Sequence, residues 1–191
     1  ELTHGFDCTA GDAIAALDRS GTALIPALAW TETGELTPAG YGALRDDRLV
    51  CWLEEDCARG AELLRNAVTE QVEELPGGGA LRLGGGSSGI RLSDDGTALQ
   101  IELKLRGTAV TLPGGWSEEI RRAMERETAA WAEDCTAQCV AMLQTVGVDA
   151  LELGRRAGLR RPWQWDDLAK AWPETFPVLD VEVHCTASVE Q

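Results

Sequence analysis

Between Leu99 and Arg106 every second residue is aliphatic: Leu99, Ile101, Leu103 and Leu105 alternate with Gln100, Glu102, Lys104 and Arg106. Successive side chains of a strand point to opposite faces, so this run makes a strand with one dry face and one wet face. A sheet built on it needs a cover on one side only. The same alternation returns near the C-terminal end, where Val181, Val183, Cys185, Ala187 and Val189 oppose Asp180, Glu182, His184, Thr186 and Ser188. The stretch between the two runs supplies a cover. Ser117 can cap a helix whose first turn carries Glu118 and Glu119, carboxylates favoured at a positive helix end. Ile120, Met124, Trp131, Cys135, Met142 and Val146 then fall on one broad side at helical spacing, a stripe expected to pack on its own domain.

The N-terminal half reads as shorter pieces. Asp7 or Thr9 can cap a helix with Ile14, Ala15 and Leu17 on its apolar side, ended by Ser20-Gly21. The apolar run Ala23 to Trp30 contains Pro26 and precedes a polar turn, which predicts a strand. Ala39 to Arg45 and Leu49 to Leu53 flank Asp46-Asp47 and predict a hairpin. Glu54 to Asp56 open a helix reaching about Asn66, and Val68 to Leu75 alternates like a strand with one acidic face. The expected class is α+β, a central and mostly antiparallel sheet covered by the long helix and several shorter helices.

Composition bounds the function. A chain of 191 residues, 44% hydrophobic and 26% charged, is most simply one domain, residues 1–191. With 32 acidic against 17 basic side chains the net charge is −15, which repels phosphate backbones and anionic lipid alike and argues against nucleic acid as a partner. No apolar run approaches the ~20 residues that span a bilayer. The chain starts at Glu1 without a signal peptide or a lipid-acceptor cysteine. The expectation is a domain taken from a longer protein, with any membrane anchor upstream.

Motifs for chemistry are missing from the sequence. Cysteines 8, 51, 57, 135, 139 and 185 show no C-x-x-C spacing; buried free thiols are the simplest reading, with disulfides or a metal as the alternatives. The glycines between Pro76 and Gly89 lack the lysine of a phosphate loop and are followed by strands, so they read as turns between antiparallel strands. His184 falls on a polar strand face, and His4 lies near the terminus with no evident acid–base partner. No catalytic residue, metal or cofactor is expected.

The C-terminal region is the most distinctive. After Gly147, Asp149 opens a second short helix through Leu151, Leu153 and Gly154, with Asp149 placed to accept from its first amides. Arg155, Arg156, Arg160 and Arg161 then concentrate positive charge, either to grip a carboxylate or phosphate of a ligand or partner, or to neutralise the chain's own acids. Pro162 suits a helix start; Trp165, Leu168 and Trp172 share one helical face, and Pro173 is expected to end that helix before Phe176 and the last strand.

This order of Asp149, Gly154, Trp165, Trp172, Phe176 and the final strand resembles the C-terminal domain of the Ger(x)C family, the lipoprotein C subunits of germinant receptors in spore-forming bacteria. Gly40, the hairpin around Arg45 to Arg48 and the acidic Glu54-Glu55-Asp56 also resemble it, whereas Cys51-Trp52 stands where the family usually has glycine and leucine. The resemblance runs from about Ala23 to Glu190. It implies a non-enzymatic receptor subunit, lipid-anchored at the outer face of the spore inner membrane. Its implied partners are the A and B membrane subunits and other germination proteins, in nutrient-triggered germination. A direct germinant-binding role, through the Arg155 to Arg161 cluster, is the other expectation.

Overall fold

Thr9 accepts from the Asp12 amide while the Asp12 carboxylate accepts from the Thr9 amide, a reciprocal cap that opens helix α1 (Ala10–Ser20). Gly21, left-handed, closes it. The computed structural model describes residues 8–68, 71–112, 114–159 and 162–191. Strands β1 (Thr22–Trp30), β2 (Leu36–Arg45) and β3 (Arg48–Leu53) form an antiparallel sheet in that order, with Asp46 at φ 55° in the expected tight turn. Gly40 in β2 has φ 93°, and a Cβ there would stand 2.0 Å from the Leu53 carbonyl oxygen, so both conformation and space require glycine.

Helix α2 (Glu55–Arg65) leads to β4 (Gln71–Glu74), β5 (Ala80–Leu92) and β6 (Ala98–Thr111), an antiparallel set. Helix α3 (Glu118–Thr145) follows, capped by Ser117, whose hydroxyl accepts from the Ile120 amide. Then come α4 (Leu153–Gly158), α5 (Pro162–Thr175), a 3-10 turn (Phe176–Val178) and β7 (Asp180–Glu190). The α+β class is as expected. The strands divide between two sheets, however, and β7 joins the second one parallel to β6, giving the order β4-β5-β6-β7.

One core serves both sheets. Leu81, Leu83, Ile90, Leu99, Ile101, Leu103 and Leu105 face Met124, Ala132, Cys135, Cys139, Val140 and Leu143 of α3, and Tyr41, Ala43 and Leu53 join from the first sheet through α2. Gly60 permits the helix crossing, since a Cβ there would lie 2.2 Å from the Cys135 carbonyl oxygen. All six cysteines are free thiols; burial pushes Cys135 up to about 12 and Cys139 higher still.

Three local expectations change. Met142 is 40% exposed, because the buried stripe of α3 runs through Thr128, Ala132, Thr136, Cys139 and Leu143 instead. The second short helix starts at Leu153, four residues later than expected, because Asp149 reaches across a turn to the Leu153 and Gly154 amides. Pro173 does not end α5, which continues to Thr175 while Trp172 and Phe176 pack together on the core side at a ring separation of 5.7 Å. For the strand expected over Val68 to Leu75, β4 occupies Gln71–Glu74, and residues 69 and 70 fall outside the described residues.

The two borders of the four-stranded sheet are built differently. Along β7 two outward amides are occupied: Cys185 N–H donates to Glu133 at 2.8 Å and Val189 N–H to Glu125 at 3.2 Å, both carboxylates reaching from α3. On the opposite border β4 pairs only with Ala80, Leu81, Arg82 and Leu83 of β5. Helices cover one side of this sheet. On the other side the even residues of β7 are exposed, as are Glu102, Lys104 and Arg106 of β6 and Arg82 of β5.

Candidate functional site

Asp149 organises the C-terminal region. Its Oδ1 accepts from the Leu153 amide at 2.8 Å, and its Oδ2 accepts from the Gly154 amide at 2.8 Å and from Trp172 Nε1 at 2.9 Å. Burial holds its carboxyl above the usual carboxylate range, against the pull of those three donors. Every oxygen is thus engaged in fixing backbone and indole. The Trp172 ring lies directly on Gly154, where a Cβ would come within 2.2 Å of it, and the Trp165 ring lies on Gly158, where a Cβ would come within 2.4 Å. Trp165 meets Trp172 edge-on with centroids 5.6 Å apart. Asp149, Gly154, Trp165, Trp172 and Phe176 therefore form one contiguous unit, although 23 residues separate Asp149 from its indole partner.

The arginines behave separately. Arg155 pairs with Glu152 at 2.9 Å. Arg156 turns inward, its Nη1 donating to the Leu64 carbonyl and its Nη2 to Ser88 Oγ, each at 2.6 Å, while Ser88 donates to the same carbonyl at 2.7 Å. Burial lowers the Arg156 guanidinium below its ordinary value. It ties α4 to α2 and β5. Arg160 and Arg161 fall outside the described residues.

Beside the aromatic unit runs an open cleft of about 920 Å³. Trp165, Trp172, Pro173 and Phe176 line it together with Arg19, Arg45, Asp46, Gln144, Glu152 and Arg155. Arg45 donates to the Val146 carbonyl at 2.9 Å and to the Gly147 carbonyl, so a cation sits on the negative end of α3. Gln144 Nε2 donates to the Phe176 and Leu179 carbonyls, both at 2.9 Å. Arg19 Nη1 lies 3.0 and 3.1 Å from the two Glu152 oxygens. Glu152 itself is held at φ 52°, an uncommon conformation for a non-glycine residue.

The sequence singled out Asp149, Trp165, Trp172 and Phe176 as an order of structural residues and not as a cleft lining, and it gave no site signal for Arg19, Arg45, Asp46, Gln144 or Glu152. Asp46 carried a signal only as a turn residue; Arg45 acts on carbonyls more than 100 residues away, which no local spacing encodes. His184 is absent from the cleft lining, and the described residues hold no group of three His, Cys, Asp or Glu spaced for a metal ion.

The two sheets thus share a helix-covered core, tied at the C-terminal end by an aspartate–indole unit. Residues 39–191 match the family described as "Spore germination B3/ GerAC like, C-terminal", and the chain belongs to that family. Its fold is similar to that in "Crystal Structure of the GerBC protein", at 16% sequence identity and a TM-score of 0.82, with 100% of this chain and 63% of that chain covered. The chain thus spans less than two thirds of that protein. No curated protein matches it.

Proposed function

We propose that the chain is the C-terminal domain of a germinant-receptor C subunit and works as a non-enzymatic scaffold, joining the A and B membrane subunits in nutrient-triggered germination. The intact protein is held by an upstream lipid anchor at the outer face of the spore inner membrane; no helix among the described residues is long and apolar enough to cross a bilayer. The family match over residues 39–191 carries this reading. The engagement of Asp149 by three structural donors supports it, since the most deeply buried carboxylate of the region has no oxygen left for chemistry. Co-purification of the chain with the A and B subunits is the test. Recovery of the complex is expected; catalytic turnover, or failure to bind either subunit, overturns the reading.

The cleft favours a second reading, direct binding of a small carboxylate-bearing germinant in the space lined by Trp165, Trp172, Arg19, Arg45 and Arg155. A ligand at 100 times its dissociation constant would add about 2.7 kcal/mol to stability. A dose-dependent melting shift that Arg155→Ala abolishes would establish it. A flat response to amino acids, sugars and bile-salt-like compounds would leave the scaffold reading alone.

A further inference from the structure

We infer that the free border of β5, from Gly85 to Gly89, accepts an extended acidic segment of a partner protein as an added strand. This deepens the scaffold reading and rests on it for the partner's identity.

Because β4 stops at Leu83's partner, no described strand pairs with β5 beyond that point. The outward amide of Cys185 fixes the hydrogen-bond alternation across the sheet: odd residues of β7 face away from β6, so even residues of β6 bond to β5. Lys104 with Ser87 and Glu102 with Gly89 are then the bonded pairs, which turns the backbone groups of Gly86 and Ser88 toward the free side, while the buried Ile90 closes the border beyond them. Among the described residues no hydrogen bond leaves the β5 backbone there. Helices α4 and α2 reach this stretch through the Ser88 side chain, on the covered face. The same molecule occupies two outward amides of β7 with Glu125 and Glu133, whereas no carboxylate reaches the described β5 backbone from Gly85 to Gly89. Exposed edges of this kind pair with added strands.

Charge selects the occupant. Arg82, Lys104 and Arg106 are exposed on the uncovered face and have no partner among the described residues, in a chain of net charge −15. At the other end of that face Arg91 pairs with Glu102 at 2.9 Å and Gln100 donates to Glu182 at 2.8 Å, so there the charges are already matched. Between the cations and the border β5 offers only Gly85, Ser87 and Gly89, and a Cβ at Gly85 would meet nothing within 4 Å. An added strand would lie about 10 Å from β6. Its side chains on the uncovered face would stand over this glycine row, where the long stems of Lys104 and Arg106 reach them. Carboxylates at alternate positions complete the match.

The test titrates the 191-residue chain with a short peptide alternating glutamate and valine, followed by fluorescence anisotropy and amide hydrogen exchange. Expected are saturable binding, slowed exchange at Gly86 and Ser88, and a loss of about tenfold or more in affinity for Arg82→Glu/Lys104→Glu/Arg106→Glu. Equal binding of a lysine–valine peptide overturns the inference. So does undiminished binding of a glutamate–valine peptide methylated on alternate backbone amides, which keeps the charge and removes the ladder. Capture by anionic vesicles in place of the peptide overturns the choice of a protein segment, and dimerisation in preference to peptide binding identifies a second copy as the occupant instead. If A and B subunits co-purify equally with wild type and the triple variant, this inference fails while the scaffold reading stands. If the peptide binds but no subunit does, the scaffold reading fails alone.

Discussion

The Asp149 region and the uncovered face of the four-stranded sheet treat polar groups in opposite ways. At Asp149 each oxygen has donors and the packing leaves no room for one methyl group on Gly154. On the sheet face Lys104 and Arg106 stand in solvent with empty space over Gly85. The first region is complete within the chain. The second is where the chain has binding capacity left over.

Substitutions should separate the two by size. Asp149→Ala strands two amides and an indole N–H in a buried site, and a loss of about 4 kcal/mol or more is expected in urea unfolding. A loss under about 1 kcal/mol would mean that water replaces the carboxylate and that the region is not closed. Gly154→Ala forces a methyl into the Trp172 ring and should cost about 2–3 kcal/mol, read as a lower melting temperature. Glu133→Ala frees the Cys185 amide at a partly exposed border and should cost about 1 kcal/mol. Lys104→Ala with Arg106→Ala should leave stability within about 0.5 kcal/mol of wild type, since neither side chain has a partner to lose.

The smallest effect concerns acid. In the turn before β6, Ser93 and Thr97 donate to Asp95 and hold its carboxyl down at about 2. A depressed folded value means that its contribution is fully present above the unfolded value of about 3.9 and is lost as pH falls toward about 2. An NMR titration should find Asp95 among the last carboxyls to protonate, and Asp95→Asn should flatten the stability profile within that window only.

How much of this was legible in the sequence follows from the range of the interactions. Strict alternation announced β6 and β7, and the Ser117-Glu118-Glu119 start announced α3, because these signals are local. The aspartate, glycine and tryptophans were legible as an order of residues, though not as a unit with one carboxylate serving three donors. Neither the division into two sheets nor the parallel pairing of β7 could be read, since strand partnership is a long-range choice that alternation leaves open. Pro173 misled because its local penalty is outweighed by the burial of Trp172 and Phe176 on either side of it. Of the arginine cluster, Arg155 and Arg156 act separately, one on Glu152 and the other on the Leu64 carbonyl, a difference that their adjacency in sequence concealed.

The parallel pairing of β7 with β6 joins residues about 80 positions apart, Leu99 with Val181 and Leu105 with Ala187. During synthesis β6 therefore leaves the ribosome long before its neighbour exists. Until the last strand arrives, its backbone lacks half of its ladder and is open to any other extended chain. Completion of the sheet is thus a late event that waits for the end of this sequence, and a truncation before Asp180 would strand the domain at its most aggregation-prone stage.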